Sequence, residues 1–381
     1  MLNSLYEYVI SRSKDNNKFR QSILEQYERN ARFSRMHIKA LLLPLFMLTK
    51  AREKKKYFFF STKYDEIIKK LPRDEVCIIG GPKQLLFAVK NNLSLISNMD
   101  FWGELSEGLK DYKISPGLPG KSRALEAEIR KLILPNSVFI IDNDSMPMQR
   151  LLIDIMRKCG AKICLVQDGI FQEKTAPHII HGWYSDRVLC YDVYQQKIIA
   201  NKLPSHIRID VVGFYKKIHF YELSKNAWKI CFLGQPWYKY GEDYCEKYLS
   251  ILCSVESVFQ NHEFYYKPHP WEDNAPYIHT IKNIAKGSMD EAFGNFDVFI
   301  SLTSTALLEA TLAGKIAIQV IDDKFECDDL ATYNYSYSLP SGEINTDKFE
   351  QLINRGPILK VAPTVDTISL YTEYFQQEKY M

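Results

Sequence analysis

Apolar residues recur along this chain in two rhythms. Over roughly the first 55 positions they fall at three- and four-residue spacing, as at Leu2, Leu5, Tyr6, Val9 and Ile10, and a second apolar stretch covers 38–48; such spacing lays one apolar face along a helix. From Tyr57 onward the pattern changes to short apolar runs, each closed by a turn and followed by helical periodicity. The runs 57–60, 76–79, 138–141, 163–166, 187–191 and 209–212 predict buried strands, and 228–233, 263–266, 297–300 and 316–321 predict a second series. Helices are predicted from residue 84, over 124–132, 148–158 and 243–258, up to 312, and over the acidic stretch 366–378, with Gly160 and Gly314 as stops. The segment 101–135, with Pro116, Gly117, Pro119 and Gly120, predicts loop before the helix at 124. Strands that alternate with helices imply an α/β chain with parallel sheets in two facing Rossmann-like domains. The polar stretch 216–226 is the linker candidate.

Composition agrees with a globular chain: 46% hydrophobic and 25% charged residues over 381 positions exclude a disordered or fibrous protein and allow two domains. The longest apolar stretch, 40–49, is interrupted by Pro44 and flanked by Lys39 and Lys50, so no bilayer span is expected. Glu7, Arg12, Lys14 and Asp15 break any signal-peptide core. The eight cysteines form no C-x-x-C pair and read as buried thiols of a reducing, cytoplasmic compartment. Net charge is only +3, but residues 1–56 hold thirteen Lys or Arg against five Asp or Glu. With Lys50, Arg52, Lys54, Lys55 and Lys56 directly after the apolar 40–48 stretch, this basic helical segment is expected to meet the anionic inner face of the membrane peripherally. A core helix with a solvated basic end is the alternative, and no nucleic-acid partner is expected.

The polar groups that could carry chemistry stand at the ends of predicted strands, where open parallel sheets bind ligands. Asp168, between Gln167 and Gly169, is either a turn-forming aspartate or a general base. In Lys267-Pro268-His269-Pro270 two prolines hold one imidazole rigidly, suited to a phosphate or a departing phosphate. Ser301-Leu302-Thr303-Ser304-Thr305 offers four hydroxyls before a helix, suited to the same phosphate, and Glu309 one turn on could accept ribose hydroxyls. Gly234-Gln235-Pro236 closes another strand. Asp142-Asn143-Asp144 has the form of a metal-chelating D-x-D, yet the same residues suit a strand-to-helix turn, and no metal site is expected.

The ordered set Gln167-Asp168-Gly169, Gly234-Gln235-Pro236, Lys267-Pro268-His269-Pro270 and Ser301 to Thr305 resembles the bacterial sialyltransferases and polysialyltransferases of the GT-B fold, over residues 167–321. The resemblance implies Asp168 as catalytic base and His269 as the group that contacts the phosphate of a CMP-sugar and assists departure of CMP. It implies a nucleotide site of Gly234, Gln235, Lys267, Pro270, Ser301, Thr303, Ser304, Thr305 and Glu309, with no cofactor. Residues 1–220 would form the acceptor-side domain, 221–362 the nucleotide domain, and 363–381 a helix crossing back to the first. Gln167 departs from the family's acidic residue at that position. Similar landmarks occur in Kdo transferases that use CMP-Kdo and, more loosely, in teichoic-acid polymerases that use CDP-polyols. A non-catalytic glycan- or nucleotide-binding protein, or an epimerase on the same scaffold, is the alternative from another class. Retaining Kdo transferases use a second carboxylate as nucleophile; Gln235 stands where one would be sought, so inversion is expected.

Overall fold

The computed structural model describes residues 5–13, 17–35, 42, 44–45, 47–49, 53–174, 182–224, 228–272, 275–325 and 327–377. The chain divides into two compact units, one of Met1–Phe171, Ala176–Lys217 and Asp366–Met381, the other of Gln172–Thr175 and Ile218–Val365.

The first unit holds a parallel sheet of β1 (Lys55–Phe59), β2 (Val76–Gly80), β3 (Ser94–Ser97), β4 (Ile133–Ile141), β5 (Lys162–Val166), β6 (Arg187–Cys190) and β7 (Arg208–Val211) in the order β3-β2-β1-β4-β5-β6-β7. The second holds β8 (Lys229–Leu233), β9 (Glu263–Lys267), β10 (Val298–Ser301), β11 (Ile316–Ile321) and β12 (Tyr337–Pro340), also parallel, in the order β12-β11-β10-β8-β9. Helices cover both faces of such sheets, which is why β2 is buried along its whole length and reads as an unbroken apolar run. Each sheet starts on an inner strand and winds outward both ways. The direction of winding reverses between β1 and β4 in the first unit and between β8 and β10 in the second. At such a reversal the loops leaving the two strands part to opposite faces and open a crevice at the carboxyl edge.

All ten apolar runs form strands. Two strands escape the pattern: β3 and β12 are four-residue edge strands in which serines interrupt the apolar run. The expected loop before residue 124 is instead helical: Phe101–Asp111 is a helix of its own and the helix expected over 124–132 starts earlier, as Leu118–Leu132, because the helix breakers sit where helices tolerate them. Pro119 lies in the first helical turn, where no amide donor is needed. Gly108 lies inside a helix because a Cβ there would overlap the Tyr6 hydroxyl and the Lys113 carbonyl.

The N-terminal helices Glu7–Ser13 and Asn17–Arg35 belong to the same unit. Tyr27 packs edge-on against Trp102, 4.9 Å between ring centres, and its hydroxyl accepts the Met148 amide at 3.1 Å. Ala40, Leu41, Leu43 and Phe46 of the 40–48 stretch, with Lys50 and Arg52, lie outside the described residues. Lys55 does not belong to an exposed basic cluster: it is the first residue of β1, 4% exposed, with its ammonium on the Asp74 carbonyl. The C-terminal helix Thr367–Gln376 packs within the first unit. Thr367 donates to the Phe214 carbonyl at 2.7 Å, Tyr371 to the Gly213 carbonyl at 2.8 Å, and Tyr57 to the Phe375 carbonyl at 3.1 Å. No described helix is long and apolar enough to cross a membrane.

Overpacking a core position costs about 1–3 kcal/mol, so Gly108→Ala is expected to lower the thermal midpoint. Gly120→Ala, with no atom within 4 Å of the added Cβ, is expected to leave it unchanged or raise it slightly. Equal midpoints for the two variants would contradict the close approach of Tyr6.

Candidate functional site

In the second unit the carboxyl ends of β8, β9 and β10 carry the predicted motifs. Gln235 joins two of them across the winding reversal. Its side-chain oxygen accepts the Thr303 amide at 2.9 Å and the Ser301 hydroxyl at 3.3 Å, and its side-chain nitrogen donates to the Thr303 hydroxyl. Its backbone amide donates to the Tyr248 hydroxyl at 3.2 Å. An amide suits this position because it donates and accepts at once, which a carboxylate cannot. Ser301 is buried and also donates to the Leu233 carbonyl at 3.0 Å, so its hydroxyl is turned into the protein and not toward a ligand. Thr303, Ser304 and Thr305 remain half-buried at the edge, where Ser304 accepts the Ala306 amide at 3.2 Å. Glu309, in the helix Ala306–Leu312, is 8% exposed, which leaves little of its carboxylate for a ribose.

The loop after β9 is built on a residue that sequence reasoning missed. Glu272 is fully buried and accepts the His269 amide at 2.6 Å, the Tyr266 hydroxyl at 2.6 Å and the Tyr277 hydroxyl. Burial raises its pKa from the ordinary carboxyl value and these three donors pull it partly back. Gly234 donates to the Lys267 carbonyl at 2.8 Å and must be glycine, since a Cβ there would overlap the Glu272 carboxylate and the Tyr266 hydroxyl. The only sequence signal for Glu272 was an acidic residue between two tyrosines just past the His-Pro pair, and loops have no periodicity to reveal such a role.

His269 is half-buried on this loop, and its Nδ1 accepts the Trp271 amide at 3.1 Å, which leaves the ring proton on Nε2. Burial, and then the charge of Lys239, lower its pKa from the ordinary imidazole value, so the ring is neutral at pH 7. Lys239 lies 5.1 Å from the centre of the Trp271 ring. A neutral Nε2–H beside an ammonium group is a donor suited to an anionic oxygen. Lys267 is buried and its ammonium donates to the Gly287 carbonyl at 2.7 Å, while Pro270 is exposed.

In the first unit Asp168 stands on the turn after β5, with its side chain 33% exposed. Lys63 lies 2.5 Å from its Oδ2, and the Tyr215 hydroxyl donates to its Oδ1 at 2.8 Å. Burial pushes the Asp168 pKa up, but the Lys63 charge and the hydrogen bonds of Lys63 and Tyr215 outweigh it and hold the carboxyl below its ordinary value. Gln167 shapes the turn: its amide nitrogen donates to the Gly169 carbonyl at 2.8 Å and to Gln195 at 2.5 Å, and its oxygen accepts the Tyr191 amide at 3.0 Å. An ionised acidic residue here could not make the two donations.

The Asp142-Asn143-Asp144 triplet does not converge as a chelate. Asn143 accepts the Ser145 and Met146 amides at 2.8 and 3.1 Å, and Asp144 is fully buried, accepting the Gly182 and Tyr184 amides at 2.9 and 2.8 Å. Asp142 alone turns to the carboxyl edge, 3.0 Å from Lys63. Among the described residues no group of three or more His, Cys, Asp or Glu could hold a metal ion.

No family model matches the chain, and no curated protein matches it in sequence. Solved structures do match in fold. The UDP-GlcNAc 2-epimerase of Methanocaldococcus jannaschii in complex with UDP-GlcNAc and UDP aligns at 11% identity with a TM-score of 0.56, over 86% of this chain and 100% of the other. A further structure of that epimerase gives a TM-score of 0.50 at 11% identity, over 86% of this chain and 100% of the other. The likeness to Anabaena HepE in complex with UDP, at 11% identity over 85% of this chain and 94% of the other, has a TM-score of 0.45 and is too loose to bear on the site. The chain has the GT-B fold.

Removing an acceptor from buried donors costs about 1–3 kcal/mol for each one left unpaired. Glu272→Ala is therefore expected to destabilise the second unit by several kcal/mol, and Glu272→Gln, which keeps the shape and one acceptor oxygen, by less. Denaturant unfolding of the two variants checks this; an Ala variant as stable as the parent would contradict the role given to Glu272.

Proposed function

We propose that the chain is a glycosyltransferase that moves sialic acid, or a related ulosonic acid, from its CMP ester to a glycan or glycolipid acceptor in bacterial surface polysaccharide assembly, with inversion. The observation that carries the reading is His269: its Nδ1 is occupied by a backbone amide, so a neutral Nε2–H is offered at the strand edge beside Lys239. In this reading Nε2–H donates to the phosphate of the donor, and the bond strengthens as negative charge collects on departing CMP. Ser304 and Thr305, on the loop that Gln235 fastens, add polar contacts to the same phosphate. Asp168 takes the proton of the acceptor hydroxyl while the new bond to the anomeric carbon forms and the bond to CMP breaks.

Inversion is supported by Gln235, an amide engaged with Ser301 and Thr303 where a second carboxylate would be sought. Of Glu242 and Asp243, the two acids next along the chain, Asp243 is paired with Lys324. Nothing in this scheme requires a metal or another cofactor. The protein would work in the cytoplasm, with its basic N-terminal segment at the membrane surface. A second reading, an epimerase acting on a UDP-sugar, is favoured by the fold likeness to the Methanocaldococcus enzyme.

The test is turnover of CMP-sialic acid by the parent and Asp168→Asn. Loss of a general base costs about 10²–10⁴ in rate, with CMP affinity expected to stay within a few-fold; near-normal turnover would remove Asp168 from the mechanism. NMR of the product is expected to show the anomeric configuration inverted relative to the donor, and retention would favour a CMP-Kdo enzyme. Turnover is also expected to persist in EDTA, whereas restoration by Mn²⁺ or Mg²⁺ would make the metal-free scheme wrong.

A further inference from the structure

Three neighbouring strands of the first sheet each deliver one charged side chain to the same edge. β1 runs into a short turn, Thr62–Tyr64, capped by the Ser61 hydroxyl on the Lys63 amide, and this turn carries Lys63. β4 leads directly into Asp142 and β5 leads into Asp168. Since β1, β4 and β5 are adjacent, and parallel strands lie about 4.8 Å apart, the two carboxylates must stand side by side. The ammonium of Lys63 bridges them, 3.0 Å from Asp142 and 2.5 Å from Asp168. The turn is itself anchored, because the Tyr64 hydroxyl donates to the Val166 carbonyl at 2.8 Å and its ring meets Tyr215 edge-on, 5.0 Å between centres. Asp142 has a side-chain exposure of 11%, and its second oxygen is buried with no hydrogen-bond partner among the described residues. Lys63 is the ion-pair partner that the described residues give this carboxylate.

We infer that Lys63 and Asp142 are positioning residues for Asp168: Asp142 holds the ammonium over the winding reversal, and the ammonium fixes the Asp168 carboxylate, ionised, with one oxygen left to Tyr215. This deepens the proposed function and rests on the reading of Asp168 as base. The charged and titratable groups facing Asp168 are Lys63 and Tyr64 from the turn after β1, Asp142 from β4, Tyr191 from the end of β6, and Tyr215 and Lys216 after β7. Lys63 is the cation in direct contact with both carboxylates. Without it two like charges share one edge, and the Asp168 carboxyl takes up its proton at higher pH.

The experiment is a pH titration of the full chain labelled with carbon-13 at the aspartate side-chain carboxyls, the Asp168 resonance assigned by its absence in Asp168→Asn. In Lys63→Met the Asp168 titration is expected to move up by about one pH unit or more; Lys63→Arg should hold it near the parent value. The double variant Lys63→Met with Asp142→Asn should keep the upward shift that the lost ammonium causes and lose only the part that repulsion by Asp142 adds. The acid limb of CMP-sialic acid hydrolysis, with water in place of the acceptor, should move in the same direction. An unmoved Asp168 titration in folded Lys63→Met, or a double variant that titrates above Lys63→Met, would overturn the inference. Should Lys63→Met not fold, Lys63→Gln takes its place: the Asp168 titration is again expected to move up, and no movement overturns the inference. If the titrations behave as expected but Asp168→Asn turns over normally, the positioning stands and the base assignment falls.

Discussion

Everything at the candidate site depends on how each crevice is held where the winding of a parallel sheet reverses. Two loops that part to opposite faces leave strand ends without backbone partners, and buried polar groups there must be satisfied by side chains. In the second unit Gln235 does this, tying the loop after β8 to the loop after β10 through Ser301 and Thr303. In the first, Lys63 ties the turn after β1 to the ends of β4 and β5. One fastening is neutral and the other ionic, and that difference sets what each edge can do. The neutral one leaves its surroundings free to receive an anion, and the ionic one holds a carboxylate charged.

The His269 loop applies the same economy of donors. Glu272 gathers the His269 amide and two tyrosine hydroxyls beneath the loop, and Gly234 gives it room. The imidazole above is then oriented by the Trp271 amide and kept neutral by burial and by Lys239. A donor fixed in this way loses little side-chain entropy when it meets a ligand.

Much of this was legible in the sequence. Buried parallel strands are continuous apolar runs, so ten of the twelve were visible, and the two that were not are short edge strands broken by serines. Glycine and proline misled at 101–135 because their positions are explained by contacts distant in sequence, such as Gly108 against Tyr6. The motif residues were visible for a similar reason: they follow the strands directly. What the sequence could not show was the direction of each side chain. Ser301 and Lys267 point into the protein, Asp144 fastens a turn, Glu272 is turned inward by the bend of its own loop, and Lys63 emerges only once strands far apart in sequence become neighbours.

The central claim is that the edge formed by β8, β9 and β10 receives the phosphate of a cytidine nucleotide through His269. Calorimetric titration of the full chain with CMP and with UDP, repeated on His269→Ala, tests it most directly. CMP is expected to bind in preference to UDP, with its affinity reduced in the variant. Preferential binding of UDP, or CMP binding that His269→Ala leaves untouched, would contradict it.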